Sequence, residues 1–183
     1  AEMYDDRAVT MGPRFTYWIR ACRYSAPGAF SEPATGFIRS AQTDSRFIND
    51  FTGDGISDLA VYQASSGQCF ILGGDGALLA WGLPWGGPGY TPVRGDYNGD
   101  GLSDLAVYHE AGGCWFGRTC PPAADSLLFW AVPWGGPGFA PVSGDYDGDR
   151  VSDLAVYHSD SGLWYVRTAG PEILAWAVPL GGP

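Results

Sequence analysis

The stretch GDYNGDGLSDLAVY (residues 95–108) decides how this chain is read, because it occurs twice more: NDFTGDGISDLAVYQ at 49–63 and GDYDGDRVSDLAVYH at 144–158. With Asp50, Asp96 and Asp145 taken as equivalent, the unit recurs after 46 and then 49 residues. A second block keeps the same spacing: AWGLPWGGPGYTPV (80–93), FWAVPWGGPGFAPV (129–142) and AWAVPLGGP (175–183). A looser third block lies between them, reading SGQCFIL, GGCWFGR and SGLWYVR. Self-similarity at a fixed period of this length marks a repeat architecture.

Each unit parses into four short strands. The first is the run into the Asp cluster (Pro92 to Tyr97; Pro141 to Tyr146), and the second is Asp-Leu-Ala-Val-Tyr, with Leu and Val on one face and Ala and Tyr on the other. A turn containing Gly67, Gly113 or Gly162 leads into the third, where Cys69, Trp115 and Trp164 fall in register; the fourth carries Trp81, Trp130 or Trp176. Four strands in 46–49 residues is the size of a propeller blade, and helical periodicity is sustained nowhere. The expected fold is all-β: a propeller-like array of four-stranded blades, three repeats at about 46–91, 92–140 and 141–183, plus a divergent N-terminal segment at 1–45. In that segment Arg14 to Tyr24 and Gly36 to Gln42 read as strand, joined by a Pro/Ser/Gly-rich link at Ser25 to Thr35, so it reads as a partial blade, a cap or an assembly arm. Three blades are too few to close a ring. The missing strands are expected from the N-terminal segment, from neighbouring chains, or from the rest of a longer propeller of which this chain is a fragment.

Composition agrees with short strands and turns. Of 183 residues, 28 are Gly and 14 Pro, and 45% are hydrophobic, near the globular average. No apolar run approaches the ~18 residues of a membrane helix, so membrane insertion is not expected. The formal charge is −10, and all ten basic residues are Arg. Ten of the twenty acids sit in the three repeated clusters, so the rest of the chain is neutral and its acidity is local. That balance excludes nucleic acid as the main partner, since phosphate contact needs a basic surface. Local acidity points to metal. Four cysteines with no CxxC pair (Cys22, Cys69, Cys114, Cys120) allow three disulfide connectivities. A local Cys114–Cys120 bridge, leaving Cys22 with Cys69, fits an oxidised, extracellular protein (secreted or cell-surface), with free buried thiols as the alternative.

Each cluster places side-chain oxygens at relative positions 1, 3, 5 and 9: Asp50, Thr52, Asp54, Asp58; Asp96, Asn98, Asp100, Asp104; Asp145, Asp147, Asp149, Asp153. Position 7 adds a backbone carbonyl, from Ile56, Leu102 or Val151. Alternate spacing in a tight loop turns these oxygens toward one point, which suits a hard cation such as Ca²⁺ with six to eight oxygen ligands. Zinc is disfavoured, because no His or Cys lies in the loops. The opening also matches an EF-hand, but position 12 is Val61, Val107 or Val156 rather than Glu, and the following Leu-Ala-Val-Tyr is strand-like.

The GDYNGDGLSDLAVY pattern beside a four-strand parse resembles the FG-GAP/VCBS class of repeats and is similar to the calcium-bearing blades of integrin alpha-subunit propellers. The resemblance covers residues 46–183 and implies up to three structural Ca²⁺ at the sets just named. Two departures bear on it: Arg150 replaces the position-6 Gly, where positive φ is usual, and Thr52 replaces Asp or Asn at position 3. At a Kd of about 10⁻⁴ M per site, millimolar calcium stabilises by roughly 1.4 kcal/mol per site. Three dications would take the formal charge from −10 to −4.

The remaining features point away from catalysis. Arg94-Gly95-Asp96 matches an adhesion tripeptide, but Asp96 opens a loop and its carboxylate is engaged there. His109 and His158 follow the repeated Tyr and read as structural or surface residues. No nucleophile elbow, phosphate loop or zinc motif is present, and no enzyme activity is expected. Trp81, Trp85, Trp130, Trp134 and Trp176 cluster around the repeated connections; packing between blades is the expected role, an aromatic platform for sugars the alternative. The expected function is that of a calcium-stabilised structural protein that self-assembles through its N-terminal arm and open last repeat. The alternative is an adhesion module with a glycan or protein ligand on a small closed propeller.

Overall fold

The computed structural model describes residues 49–182 in full, and the backbone of residues 15–17, 20–23, 26–30 and 34–36. The chain divides into two compact units, residues 1–42 and 43–183. In the first, β1 (Phe15–Tyr17) pairs antiparallel with β4 (Ala34–Gly36), and β2 (Arg20–Arg23) with β3 (Ala26–Phe30). The stretch read as a link, Ser25 to Thr35, therefore contains strand, because Ala26–Phe30 folds back on Arg20–Arg23 as a hairpin. Gly36 ends β4, and the rest of the strand expected over Gly36 to Gln42 lies outside the described residues.

The second unit holds three antiparallel sheets. Strands β5 (Leu59–Gln63), β6 (Gln68–Leu72) and β7 (Leu78–Pro84) form the first. Strands β8 (Tyr90–Gly95), β9 (Asp104–His109), β10 (Cys114–Arg118) and β11 (Leu127–Pro133) form the second, in chain order across the sheet. Strands β12 (Phe139–Pro141), β13 (Leu154–His158), β14 (Leu163–Arg167) and β15 (Ile173–Pro179) form the third. Among the described residues the helical content is one 3₁₀ turn, Glu110–Gly112. Among the described residues the fold is all-β, with two-stranded sheets in the first unit and sheets of three or four strands in the second. The second to fourth strands of each unit fall where the sequence places them. The first does not: β8 begins at Tyr90 and β12 at Phe139, two residues early, and the strands end before Asp96 and Asp145. Those aspartates and the following Tyr97 and Tyr146 belong to the loop, because the carboxylates accept loop N–H groups instead of continuing a ladder.

Turn glycines explain why two distant blocks repeat together. Gly67, Gly113 and Gly162 have φ of 69°, 60° and 67°. A Cβ built on each would stand 2.7, 2.7 and 2.5 Å from the backbone of Gly86, Gly135 and Gly181 respectively. The first Gly of each WGGP or LGGP block thus lies directly against the turn glycine, and neither of these two glycines has room for a side chain.

The sheets pack face to face in chain order. Leu105 of the second sheet joins Phe51 of the first Asp loop and Cys69, Ile71 and Ala80 of the first sheet in one buried cluster that also holds Cys120. Leu154 and Val156 of the third join Val93, Ala106, Tyr108, Trp115 and Phe129 of the second. The Leu/Val face of one sheet therefore covers the Ala/Tyr face of the sheet before it. Each buried Leu or Val contributes roughly 1.5–3 kcal/mol of transfer free energy. In the first sheet the same positions, Leu59 and Val61, are 70% and 64% exposed, against 0% and 1% for Leu154 and Val156.

Two expectations are corrected. Trp81, Trp130 and Trp176 are not core residues: they are largely exposed and stand edge-on to Phe70, Phe116 and Tyr165 of their own sheets. Between sheets, Trp85 reaches Trp130 and Trp134 reaches Trp176 at ring-centroid distances of 6.2 and 5.8 Å. The bridges Cys114–Cys120 and Cys22–Cys69 are absent, since Cys69, Cys114 and Cys120 are free thiols. Cys114 begins β10, and Thr119 beyond its end still donates its N–H to Ser126 O, so the run is extended. At ~3.3 Å per residue it holds the two cysteines well beyond the ~7 Å between Cα atoms that a disulfide spans.

Candidate metal centre

The three Asp loops close on themselves by one scheme. At position 1, Asp50 accepts N–H bonds from Gly53 (2.6 Å) and Gly55 (2.9 Å), Asp96 from Gly99 (2.7 Å) and Gly101 (2.8 Å), and Asp145 from Gly148 (2.6 Å) and Arg150 (3.1 Å). Position 5 accepts the position-7 N–H: Ile56 to Asp54 and Leu102 to Asp100 at 2.8 Å, Val151 to Asp149 at 2.7 Å. At position 3, Asn98 and Asp147 accept the N–H of Asp100 and Asp149, while Thr52 donates its hydroxyl to Asp50 at 3.4 Å. Such Asx-type bonds hold a short loop without help from the rest of the chain.

The position-6 residue, whose N–H reaches the position-1 carboxylate, adopts positive φ in all three loops. Gly55 and Gly101 do so freely at 81° and 87°, and Arg150 is held there at 77°. A non-glycine residue in this region costs about 1–2 kcal/mol, so the strain expected at Arg150 is present in the backbone.

Position 9 is different in kind. Asp58, Asp104 and Asp153 are buried, 4%, 3% and 1% exposed. Each accepts the backbone N–H of position 2 at 2.7 Å, from Phe51, Tyr97 and Tyr146. Asp58 also accepts from Thr52 and Gly74. Burial, reinforced by neighbouring aspartates, pushes the Asp104 carboxyl up to about 7 and that of Asp153 up to about 6, although the Tyr97 and Tyr146 N–H groups pull the other way. A buried carboxylate facing other carboxylates favours its proton or a cation.

Among the described residues one group of three acidic side chains brings its oxygens within 4.8 Å of one another: Asp145, Asp147 and Asp149, all exposed. Asp153 stands outside that group. The other loops carry Thr52 and Asn98 at position 3 and so have fewer carboxylates to converge. The donors are all oxygen, which fits a hard divalent cation and does not fit zinc.

Neighbouring loops are coupled. Ser103 donates its N–H to Asp50 O at 2.7 Å, and Ser152 donates to Asp96 O at 2.6 Å, while the Ser152 hydroxyl accepts from Asp96 N. A Cβ on Gly53 would meet Leu102 at 2.7 Å and one on Gly99 would meet Val151 at 3.2 Å; at Gly148 nothing lies within 4 Å. The position-7 side chain of one loop thus covers the position-4 glycine of the loop before it. Asp96 of the Arg-Gly-Asp triplet is engaged in this network, as its place in the loop implies.

Sequence reasoning missed the role of the repeated Tyr. Tyr108 donates its hydroxyl to Gly136 O (3.1 Å) and accepts from Gly136 N (2.8 Å), and Tyr62 does the same with Gly87 at 3.2 and 3.0 Å. Gly182 N donates to Tyr157 at 3.2 Å. The parallel recurrence of LAVY and GGP was the available signal. The adjoining His109 and His158 stack on Tyr90 and Phe139, at 4.7 and 4.6 Å between ring centroids.

Residues 50–107 match the family model described as FG-GAP-like repeat, consistent with a repeat protein of the FG-GAP/VCBS type. No curated protein and no solved structure matches the chain.

Proposed function

We propose that this is an extracellular, calcium-stabilised β-repeat protein whose sheets form a propeller-like array and which works as a building block, joining other copies end to end. The observation that carries the reading is the contrast between equivalent faces. Leu59 and Val61 are exposed, whereas Leu105 and Val107, and Leu154 and Val156, are buried against the preceding sheet. At the other end Gly148 is uncovered, and Val178 and Leu180 are 45% and 69% exposed. One copy's third sheet is thus the kind of surface that the first sheet of another copy would cover. Such a heterologous contact, if it does not close, propagates into a filament. Calcium enters through the three loops, where it would offset the repulsion around Asp104 and Asp153 and stiffen the column that Ser103 and Ser152 connect.

Sedimentation of the full chain in millimolar calcium tests this. Concentration-dependent association that is lost on Val61→Glu supports it; a monomer at all concentrations, with Val61 protected from solvent, overturns it. A second reading rests on Trp81, Trp130 and Trp176, exposed at matching positions of the three sheets. Exposed indole faces in register suit stacking on sugar rings, and calorimetric titration with neutral oligosaccharides separates this reading from the first.

A further inference from the structure

The two cysteines buried in the second unit lie on the same interface, that between the first and second sheets. Cys69 is 6% exposed and Cys120 is 2% exposed, and both belong to the cluster formed with Phe51, Ile71, Ala80 and Leu105. The internal repeat shows what these positions are. Cys69 occupies the place of Trp115 and Trp164, and Cys120, two residues after Arg118, occupies the place of Ala169, two residues after Arg167. Trp115 and Ala169 pack into one cluster at the interface between the second and third sheets. A large–small pair at one interface is thus replaced by a cysteine–cysteine pair at the other, and by cysteine at neither corresponding position elsewhere. Because Cys is far smaller than Trp, the exchange leaves space: a cavity of about 280 Å³ is lined by Cys69, Ile71, Trp85, Leu105 and Val107, among others.

We propose that Cys69 and Cys120 are a cross-link site, joined during folding into a disulfide that staples the first sheet to the second. Packed β-sheets are bridged in this way in immunoglobulin domains. The oxidant is a small-molecule disulfide such as oxidised glutathione. The Cys69 thiolate attacks one of its sulfurs and releases one glutathione thiolate. The Cys120 thiolate then attacks the Cys69 sulfur of the mixed disulfide and releases the second. The protons of the two cysteine thiols pass to the released thiolates, so two protein thiols are oxidised and one small disulfide is reduced to two thiols. In the folded protein burial pushes the Cys69 thiol up to about 11 and that of Cys120 up to about 12, with Cys69 adding to the shift at Cys120. Few thiolates form once the interface has closed, which places the reaction in the folding chain. Cys114, whose thiol donates to Gly112 O at 3.1 Å, lies outside the cluster and stays free.

The test is to refold the full reduced chain in a glutathione redox buffer, alkylate free thiols, and map peptides by mass spectrometry without reduction. The expected result is a linked peptide pair containing Cys69 and Cys120, with Cys114 alkylated. Alkylation of both Cys69 and Cys120, or linkage of either to Cys22 or Cys114, overturns the proposal. A second readout is thermal: the oxidised protein should melt roughly 10 °C above the reduced one. That difference should vanish in Cys69→Ala and Cys120→Ala and persist in Cys114→Ser. Should either alanine variant fail to fold, the wild-type peptide map still decides.

Discussion

Replacing Tyr108 by Phe removes one oxygen from the most deeply packed of three equivalent tyrosines and changes no packing volume. Tyr108 is 0% exposed, and its hydroxyl both donates to and accepts from Gly136, 28 residues away. A typical intramolecular hydrogen bond contributes a net ~0.5–1.5 kcal/mol, and stranding a buried partner costs about 1–3 kcal/mol. With both polar groups of Gly136 left without the phenol, the expected loss is about 2 kcal/mol, or roughly 6 °C in Tm for a chain of this size. Tyr157→Phe is the internal control, because its bond from Gly182 is exposed and long, 3.2 Å, and water can replace it; the expected loss is about 0.5 kcal/mol. Urea unfolding of the two variants, with unchanged m-values, measures the difference. Equal losses, or a loss at Tyr108→Phe below ~0.5 kcal/mol, would refute the view that the tyrosine fastens the Gly-Gly-Pro connection to the sheet.

Gly113→Ala should cost about 2–4 kcal/mol, combining positive φ with a clash against Gly135, whereas Gly148→Ala, with open space around it, should cost only about 1 kcal/mol; chemical denaturation ranks them. Millimolar calcium should raise the melting temperature by roughly 10 °C over chelator, about 4 kcal/mol across three loops, and Asp149→Asn should remove about a third of that gain. Identical melting in calcium, magnesium and chelator would remove calcium from the account. Leu59→Glu should abolish end-to-end association without lowering Tm by more than a few degrees, since its side chain is already exposed, and light scattering against concentration checks it.

Much of the local structure was legible because its interactions span few residues. Position-1 and position-5 aspartates find their N–H partners two to five residues away, so Asp/Gly spacing alone specifies the loop. The Leu-Ala-Val-Tyr strands follow from β-propensity and alternation, and their antiparallel partners lie across short turns. The first strands of the second and third repeats begin two residues earlier than expected and end before the aspartates, because whether Asp96 continues a ladder or closes a loop depends on which groups reach its carboxylate. The role of position 9 was legible only in part: the spacing marks Asp104 as an oxygen donor, but its burial behind the loop and its bond from Tyr97 come from the packed sheet.

Sequence by itself determined the all-β class, the three units and their period, the oxygen-only loops and the glycine turns, because each arises from contacts within one repeat. Tertiary structure alone decided the fate of identical residues. Leu59 and Leu154 share residue type, strand position and local sequence, yet one is 70% exposed and the other fully buried. It likewise placed Trp176 at the surface and Trp115 at 0% exposure, and brought Cys69 into one cluster with Cys120 across 51 residues of chain. Burial is a property of the neighbouring sheet, and a repeat carries no local record of which neighbour covers it.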